Sequence, residues 1–265
     1  MILVAGPCGI ESKEQAFKIA EFVKSQGVTH FRGGAFKGQN HPVIDGKPEY
    51  LGLRENALII LSEIQDKLNL PCICDVQSIE QFNLFFKYDI DTLMIGARNM
   101  DNLALLRDIR SVYKHCPNKS IILKRAPSAT IDEFIGAAEH LGGSEQVILC
   151  ERGIVSYDRT PQTRWRLDFV GIAYIKKYTN YRIIVDPSHG SGDRQLVPLL
   201  CKAGLSIADG LMVEVHYDPD SSPTDANQTI DFETFKEIAE NYHDKSRDKQ
   251  RYNTSQFNSN DAITY

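Results

Sequence analysis

Arg182-Ile183-Ile184-Val185-Asp186-Pro187-Ser188-His189 is a short apolar, β-branched run closed by a carboxylate, a proline and a histidine. Gln146-Val147-Ile148-Leu149-Cys150-Glu151-Arg152-Gly153 repeats the design with a different closing set. So do Gly6-Pro7-Cys8, Phe31-Arg32-Gly33-Gly34-Ala35-Phe36-Lys37, Gly96-Ala97-Arg98-Asn99, Lys124-Arg125 and Val213-Glu214-Val215-His216, each at the end of an apolar run. Continuous apolar runs of this length fit parallel strands covered on both faces. The pattern predicts strands at 2–5, 28–33, 71–76, 92–95, 120–123, 146–150, 182–185 and 210–215. Amphipathic stretches at 13–25, 53–68, 79–88, 103–113, 130–140, 170–178, 195–203 and 232–242 alternate with them as helices. Ser12, Ser78, Asp101 and Thr130 stand where N-caps belong. Strand and helix alternating eight times predict an α/β fold, a single (β/α)₈ TIM barrel over 1–242, with a polar, flexible tail at 243–265. The βα connections at 38–50 and 153–163 are long, and long βα loops in barrels carry function.

The chain has 265 residues, 42% of them hydrophobic, which suits one barrel of roughly 250 residues. Its formal net charge of −5 disfavours nucleic-acid binding. No apolar run is long enough to cross a bilayer, and Met1-Ile2-Leu3-Val4-Ala5 enters a Gly-Pro turn as a strand rather than as a signal peptide. The six cysteines form neither a disulfide framework nor a double C-x₂-C zinc motif, so a reduced, cytoplasmic setting is expected. Cys72 and Cys74, two apart in a strand, share a face and read as small buried apolar residues.

The strand ends bring two kinds of chemistry to one mouth. Cys8, His189 and Glu214 close the first, seventh and eighth strands, which are neighbours in a closed barrel, and Asp225 follows on the next loop. Singly, Cys8 reads equally well as a small buried residue, and His189 as a hydrogen-bonded histidine. Together, a thiolate, an imidazole and two carboxylates suit one divalent ion: Mn²⁺, Fe²⁺, Co²⁺ or Zn²⁺. Arg32, Lys37, Arg98, Lys124, Arg125 and Arg152 are the second element. Each taken alone fits a surface residue or a partner for Glu151 or Asp186. As a set on an acidic protein they call for a small anion carrying phosphate and carboxylate.

These motifs, with Ser128-Ala129-Thr130-Ile131 and the segments 95–100 and 209–216, resemble the metal-dependent 3-deoxy-D-arabino-heptulosonate 7-phosphate (DAHP) synthases. The likeness is to the short form without a regulatory domain; the 3-deoxy-D-manno-octulosonate 8-phosphate (KDO8P) synthases are the related branch. The resemblance implies condensation of phosphoenolpyruvate with an aldose phosphate, erythrose 4-phosphate first among them, at the head of the shikimate pathway. It implies that Arg98, Lys124 and Arg152, with Arg32, hold phosphoenolpyruvate, and that Arg125 and Asp186 belong to the substrate site. Lys37 is implied as the proton-transfer residue between the two substrates. Cys8, His189, Glu214 and Asp225 match the family's metal ligands, and a homo-oligomer, dimer or tetramer, is implied as well.

The likeness breaks on the acceptor side. The heptulosonate branch continues Lys-Pro-Arg-Thr after its lysine, and the octulosonate branch also uses an Arg in this loop, preceded by Ala-Asn; this chain reads Lys37-Gly38-Gln39-Asn40-His41-Pro42 and has neither. Gln39 and Asn40 thus stand where the resemblance puts a grip on the acceptor's phosphate. A lost Arg–phosphate bond costs about 1.5–3 kcal/mol, roughly ten- to a hundred-fold in affinity, unless His41, Lys47 or Arg164 replaces it. Asp75 stands where the branch often has Glu, and Trp165-Arg166 interrupts a Thr-Arg-Asn-Thr stretch. Three readings follow: the heptulosonate synthase with a rewired grip, a phosphoenolpyruvate-dependent synthase for another aldehyde, or a silent regulatory homologue.

Overall fold

A computed structural model describes residues 1–38, 43–44, 47–48, 50–157 and 164–259, with backbone alone at 43–44, 47–48 and 248–259. Among the described residues the barrel strands are β1 (Ile2–Gly6), β2 (His30–Arg32), β3 (Cys72–Val76), β4 (Thr92–Ile95), β5 (Ile121–Lys124), β6 (Val147–Glu151), β7 (Arg182–Val185) and β8 (Gly210–Glu214). Each pairs in parallel with its chain neighbours, and β1 closes the ring on β8, with Ala5 beside both Val213 and Phe31. The (β/α)₈ TIM barrel is therefore the fold. A short antiparallel pairing, Val43–Ile44 with Lys47–Pro48, lies in the second βα connection, where the sequence signalled only a long loop.

Side chains alternate across a strand, and here the alternation sorts the whole molecule. Val4, Ile73, Met94, Ile122, Ile148, Cys150, Ile184 and Met212 pack on one another in a cluster that draws on no helix, so they fill the barrel. Their strand neighbours, among them Leu3, Ala5, Leu93, Leu123, Leu149 and Val185, face outward into the larger core beneath the helices. Cys72 and Cys74 belong to that outer core, as small buried residues sharing one face.

The covering helices are α1 (Lys13–Ser25), α2 (Glu55–Leu68), α3 (Ile79–Lys87), α4 (Leu103–Tyr113), α5 (Ile131–Leu141), α6 (Phe169–Tyr178), α7 (Val197–Ile207) and α8 (Phe232–Ser259). Ser12 and Ser78 cap α1 and α3, and Thr130 forms a reciprocal capping box with Glu133 at α5. The cap of α4 is Asn102, not Asp101: a 3₁₀ turn at Ala97–Asn99 takes up the preceding residues and the helix starts one place later. A five-residue helix, Pro187–Ser191, follows β7 and is capped by Asp186, whose Oδ1 accepts from the His189 amide at 3.0 Å. The last helix runs beyond the expected boundary at 242. It meets no glycine or proline, and Tyr242 and His243 tie it to the Met1 carbonyl at 2.7 Å and the Gln26 carbonyl at 2.9 Å. The segment 243–259 is thus helical backbone rather than irregular tail. No helix among the described residues is long and apolar enough to cross a membrane.

Candidate active site

One step beyond the lumen core, on the same inward parity, the apolar residues give way to charge. Ile73 leads to Asp75, Ile122 to Lys124, Cys150 to Arg152, Ile184 to Asp186 and Met212 to Glu214, and Arg32 ends β2 among them. These positions lie at the carboxyl ends of the strands, the face where barrels hold their active sites. Arg32, Lys124, Arg152, Asp186 and Glu214 are all buried, at 6% exposure or less. Polar groups so deep must be paired or waiting for a ligand.

The metal-type residues are brought together as expected, with one distinction. Donor atoms of Cys8, Glu214 and Asp225 lie within 4.8 Å of one another. The Cys8 thiol donates to Asp225 Oδ2 at 3.1 Å. Glu214 is pinned by Gln228, whose Nε2 donates to Oε2 at 2.6 Å, and by its own amide on Ser188 Oγ at 3.0 Å. Its Oε1 lies 3.0 Å from Arg32 Nη2 and 3.7 Å from His189 Nε2, yet it makes no hydrogen bond with either. His189 stands beside the three-residue set rather than inside it, turned by Asp186, whose Oδ2 is 2.8 Å from Nδ1. A buried, unbonded carboxylate oxygen facing a sulfur and a second carboxylate fits a divalent cation, and His189 Nε2 lies 3.7 Å from that oxygen.

The cations divide. Lys37 donates to Cys8 Sγ at 3.2 Å, with its stem laid over Gly34, where a Cβ would come within 2.5 Å of Lys37 Nζ. Burial alone would lower the Lys37 pKa, but Cys8, Asp75 and Glu214 outweigh it and push the value up, so the ammonium is held charged. Burial and Glu214 push the Cys8 thiol pKa up, against the opposing pull of Lys37. Lys124 Nζ lies 2.6 Å from Asp186 Oδ2. Burial would raise the Asp186 pKa, but His189, Lys124 and Arg32 together hold it well below the usual carboxylate range. Arg32 keeps Nε and Nη1 buried without a hydrogen bond, and Asp75 keeps Oδ1 likewise. Arg98 sits on the 3₁₀ turn after β4, and its Nη1 donates to the Gly38 carbonyl at 3.0 Å. Arg152 lies 5.6 Å from the centroid of the Trp165 ring, and burial pulls its pKa down.

Arg125 departs from the expectation. It follows Lys124 and so falls on the outward parity, behind the barrel wall. There it donates to Glu151 Oε2 at 3.1 Å, to Asp168 Oδ2 at 2.8 Å and twice to the Ala129 carbonyl. Its guanidinium is committed to the wall and does not face the mouth. Gln39 and Asn40, and His41 among the possible replacements, lie outside the described residues. Arg164, another candidate, reaches toward Asp225 Oδ1 at 3.8 Å. Sequence reasoning undervalued Asp75, which inward parity would have flagged, and missed Gln228, which no local pattern marks.

Comparisons with known proteins identify the family and the fold. The model of the DAHP synthetase I family matches residues 1–250. A phospho-2-dehydro-3-deoxyheptonate aldolase from Thermotoga maritima is 36% identical over 241 residues, covering 90% of this chain and 68% of that protein. A 2-dehydro-3-deoxyphosphooctonate aldolase from Francisella tularensis subsp. holarctica is 26% identical over 258 residues, covering 89% of this chain and 88% of its own length. The crystal structure of the Thermotoga maritima DAHP synthase superposes with a TM-score of 0.83 at 35% identity, over 92% of this chain and 68% of that one. A truncated form of the 3-deoxy-D-arabino-heptulosonate 7-phosphate synthase from the same organism gives 0.78 at 34% identity, over 91% and 84%. The chain belongs to the DAHP synthetase I family, and is an enzyme of its phosphoenolpyruvate-dependent aldolase type.

Proposed function

We propose that this enzyme condenses phosphoenolpyruvate with an aldose phosphate, erythrose 4-phosphate first among them, to give a 3-deoxy-2-ketoaldonate phosphate (DAHP) and inorganic phosphate. That reaction is the entry step of the shikimate pathway to aromatic amino acids. The observation that carries the reading is the inward-parity mouth, where Lys37 touches Cys8 at 3.2 Å beside a carboxylate pair and buried Arg32, Lys124 and Arg152. A cytoplasmic, homo-oligomeric enzyme is part of the same proposal.

In this reading Arg32, Lys124, Arg152 and Arg98 hold the phosphate and carboxylate of phosphoenolpyruvate, so its C3 is presented to the aldehyde carbon. The C3–C1 bond forms as the enol π electrons move to the aldehyde, and Lys37 supplies the proton that the new alkoxide takes up. Positive charge develops at C2 and water adds there, giving up one proton that restores Lys37; the C2–O bond to phosphate then breaks as the new C2 hydroxyl becomes the ketone, and its proton leaves with inorganic phosphate. The fixed cations favour the departing dianion. Cys8, Glu214 and Asp225, with His189 beside them, would hold one divalent ion (Mn²⁺, Fe²⁺, Co²⁺ or Zn²⁺). When bound there, such an ion supplies Lewis-acid charge beside the aldehyde oxygen.

The acceptor is where a second reading has its support. Gln39 and Asn40 stand where the resemblance puts a phosphate grip in either branch, which leaves the acceptor open, and relatives named 2-dehydro-3-deoxyphosphooctonate aldolase span most of the chain. The test is phosphate release from phosphoenolpyruvate with Mn²⁺ and a panel of aldose phosphates. Turnover highest with erythrose 4-phosphate upholds the first reading. A strong preference for arabinose 5-phosphate moves the assignment to the second, and no release with any aldehyde overturns both in favour of the silent homologue.

A further inference from the structure

We infer that Trp165 is a positioning residue for anion capture: its indole backs the Arg152 guanidinium and holds it aimed into the mouth. The inference rests on the reading of Arg152 as a ligand of phosphoenolpyruvate. Three observations carry it. The Arg152 guanidinium carbon lies 5.6 Å from the indole centroid, and that of Arg164 lies 5.9 Å from it, so the ring serves two cations at once. Gly153, at φ +101°, supplies the room: a Cβ there would come within 2.5 Å of the Trp165 Cβ. Both chain neighbours of the tryptophan are anchored through the backbone. The Arg164 amide donates to the Ser191 carbonyl at 2.8 Å, on the short helix that carries His189. Arg166 and Ile154 exchange bonds of 2.9 and 3.1 Å, closing the base of the sixth loop. The backbone that carries the indole is therefore fixed on both sides before any ligand arrives, and a buried guanidinium backed by the ring has less freedom to turn away from an incoming anion.

Trp165-Arg166 is also where this chain departs from the Thr-Arg-Asn-Thr stretch of the resemblance. A flat aromatic face suits a guanidinium better than an ammonium. Arg152→Lys should therefore lose the benefit of Trp165 while keeping its charge.

The experiment compares W165F, which keeps an aromatic face, with W165L, which keeps only apolar bulk. Affinity for phosphoenolpyruvate is read by calorimetry on the full chain, and kcat and KM by phosphate release. The expected result is a two- to thirty-fold rise in Kd and KM for phosphoenolpyruvate in W165L, with kcat nearly unchanged and W165F close to wild type. In an R152K background W165L should cost no further affinity. Equal Kd in folded W165L and wild type overturns the inference, even if wild-type turnover is normal. A wild type that binds phosphoenolpyruvate but releases no phosphate removes the proposed function and leaves the inference to the Kd comparison. A wild type that binds no phosphoenolpyruvate removes both. Should W165L fail to fold, the wild type decides: Trp165 is the chain's one tryptophan, and its emission should change as phosphoenolpyruvate saturates the site. Emission unchanged at calorimetric saturation overturns the inference.

Discussion

Two buried clusters of arginine and carboxylate lie on opposite sides of one barrel wall. Behind the wall, Arg125, Glu151 and Asp168 satisfy one another: Arg125 donates to both carboxylates, and Glu151 Oε1 accepts from the Gly153 amide at 2.7 Å. In the mouth, Arg32 Nε and Nη1, Asp75 Oδ1 and Glu214 Oε1 are buried and make no hydrogen bond. The residue types are the same and the burial is similar; only satisfaction differs. A completed network holds the strand ends and loops in place, whereas an incomplete one leaves hydrogen-bonding atoms that substrate and metal can engage. The barrel wall separates the two because consecutive residues, Lys124 with Arg125 and Glu151 with Arg152, point to opposite faces.

That contrast breaks if activity and stability do not separate across the wall. Lys37→Met should lower the rate of phosphate release by about a hundred- to ten-thousand-fold, the range for loss of a proton-transfer group. Its denaturation midpoint should fall far less than that of Arg125→Met, because the loss of its bond to Cys8 and of its attraction to Asp75 and Glu214 is offset by removing a buried charge that Arg32 repels. A large fall in stability would make Lys37 a structural residue. Arg125→Met should behave in the opposite sense. Two carboxylates lose their shared cation in the wall, a loss of about 3–5 kcal/mol for a broken buried pair. Denaturant unfolding measures it, and a variant as stable as wild type would remove the structural role assigned to Arg125.

The incomplete side should also respond to a ligand that the completed side ignores. Mn²⁺ at a hundred times its Kd should add about 2.7 kcal/mol to the folded state, read as a rise in thermal midpoint and reversed by a chelator. Cys8→Ser and Asp225→Asn should each shrink that rise, while Asp168→Asn should lower the midpoint without changing the response to metal. An equal metal response in Cys8→Ser and wild type would detach Cys8 from the site.

Much of this division was open to reading before any coordinates. The apolar runs marked every barrel strand, because strands covered on both faces carry few polar residues to blur the signal. Cys8, His189, Glu214 and Asp225 were recognisable as chemistry at adjacent strand ends. What the motifs hid was direction. Lys124-Arg125 looked like two cations of one site, although the period of two sends Arg125 behind the wall with the outer-core parity of Leu123. Counting parity from Ile122 would have separated them, and would have raised Asp75 to equal rank with Lys124. Gln228 could not have been found in this way, since it reaches Glu214 from a loop whose course no local pattern dictates. The extension of α8 past 242 was obscured for a different reason: its polar composition resembles that of coil, and the bonds of Tyr242 and His243 to α1 and the chain start are tertiary.

The smallest effect probes the wall by pH. Burial pushes the Glu151 carboxyl above its ordinary pKa, more than Arg125 and the Gly153 amide pull it down. An unfolded glutamate titrates near about 4.3. Between that value and the folded one, the folded chain keeps a proton that the unfolded chain has lost. Folding then binds protons, so this group's contribution to stability falls as pH rises through the window and is constant above it. An ordinary salt-bridged carboxylate has the reverse slope. Unfolding free energy measured across that window in wild type and Glu151→Gln should show the variant losing stability less steeply as pH rises, on top of a constant cost from the weakened bond to Arg125. Parallel curves would mean that the wall cluster holds Glu151 ionised throughout. The completed network would then owe its stability to full charge pairing rather than to hydrogen bonds that survive protonation.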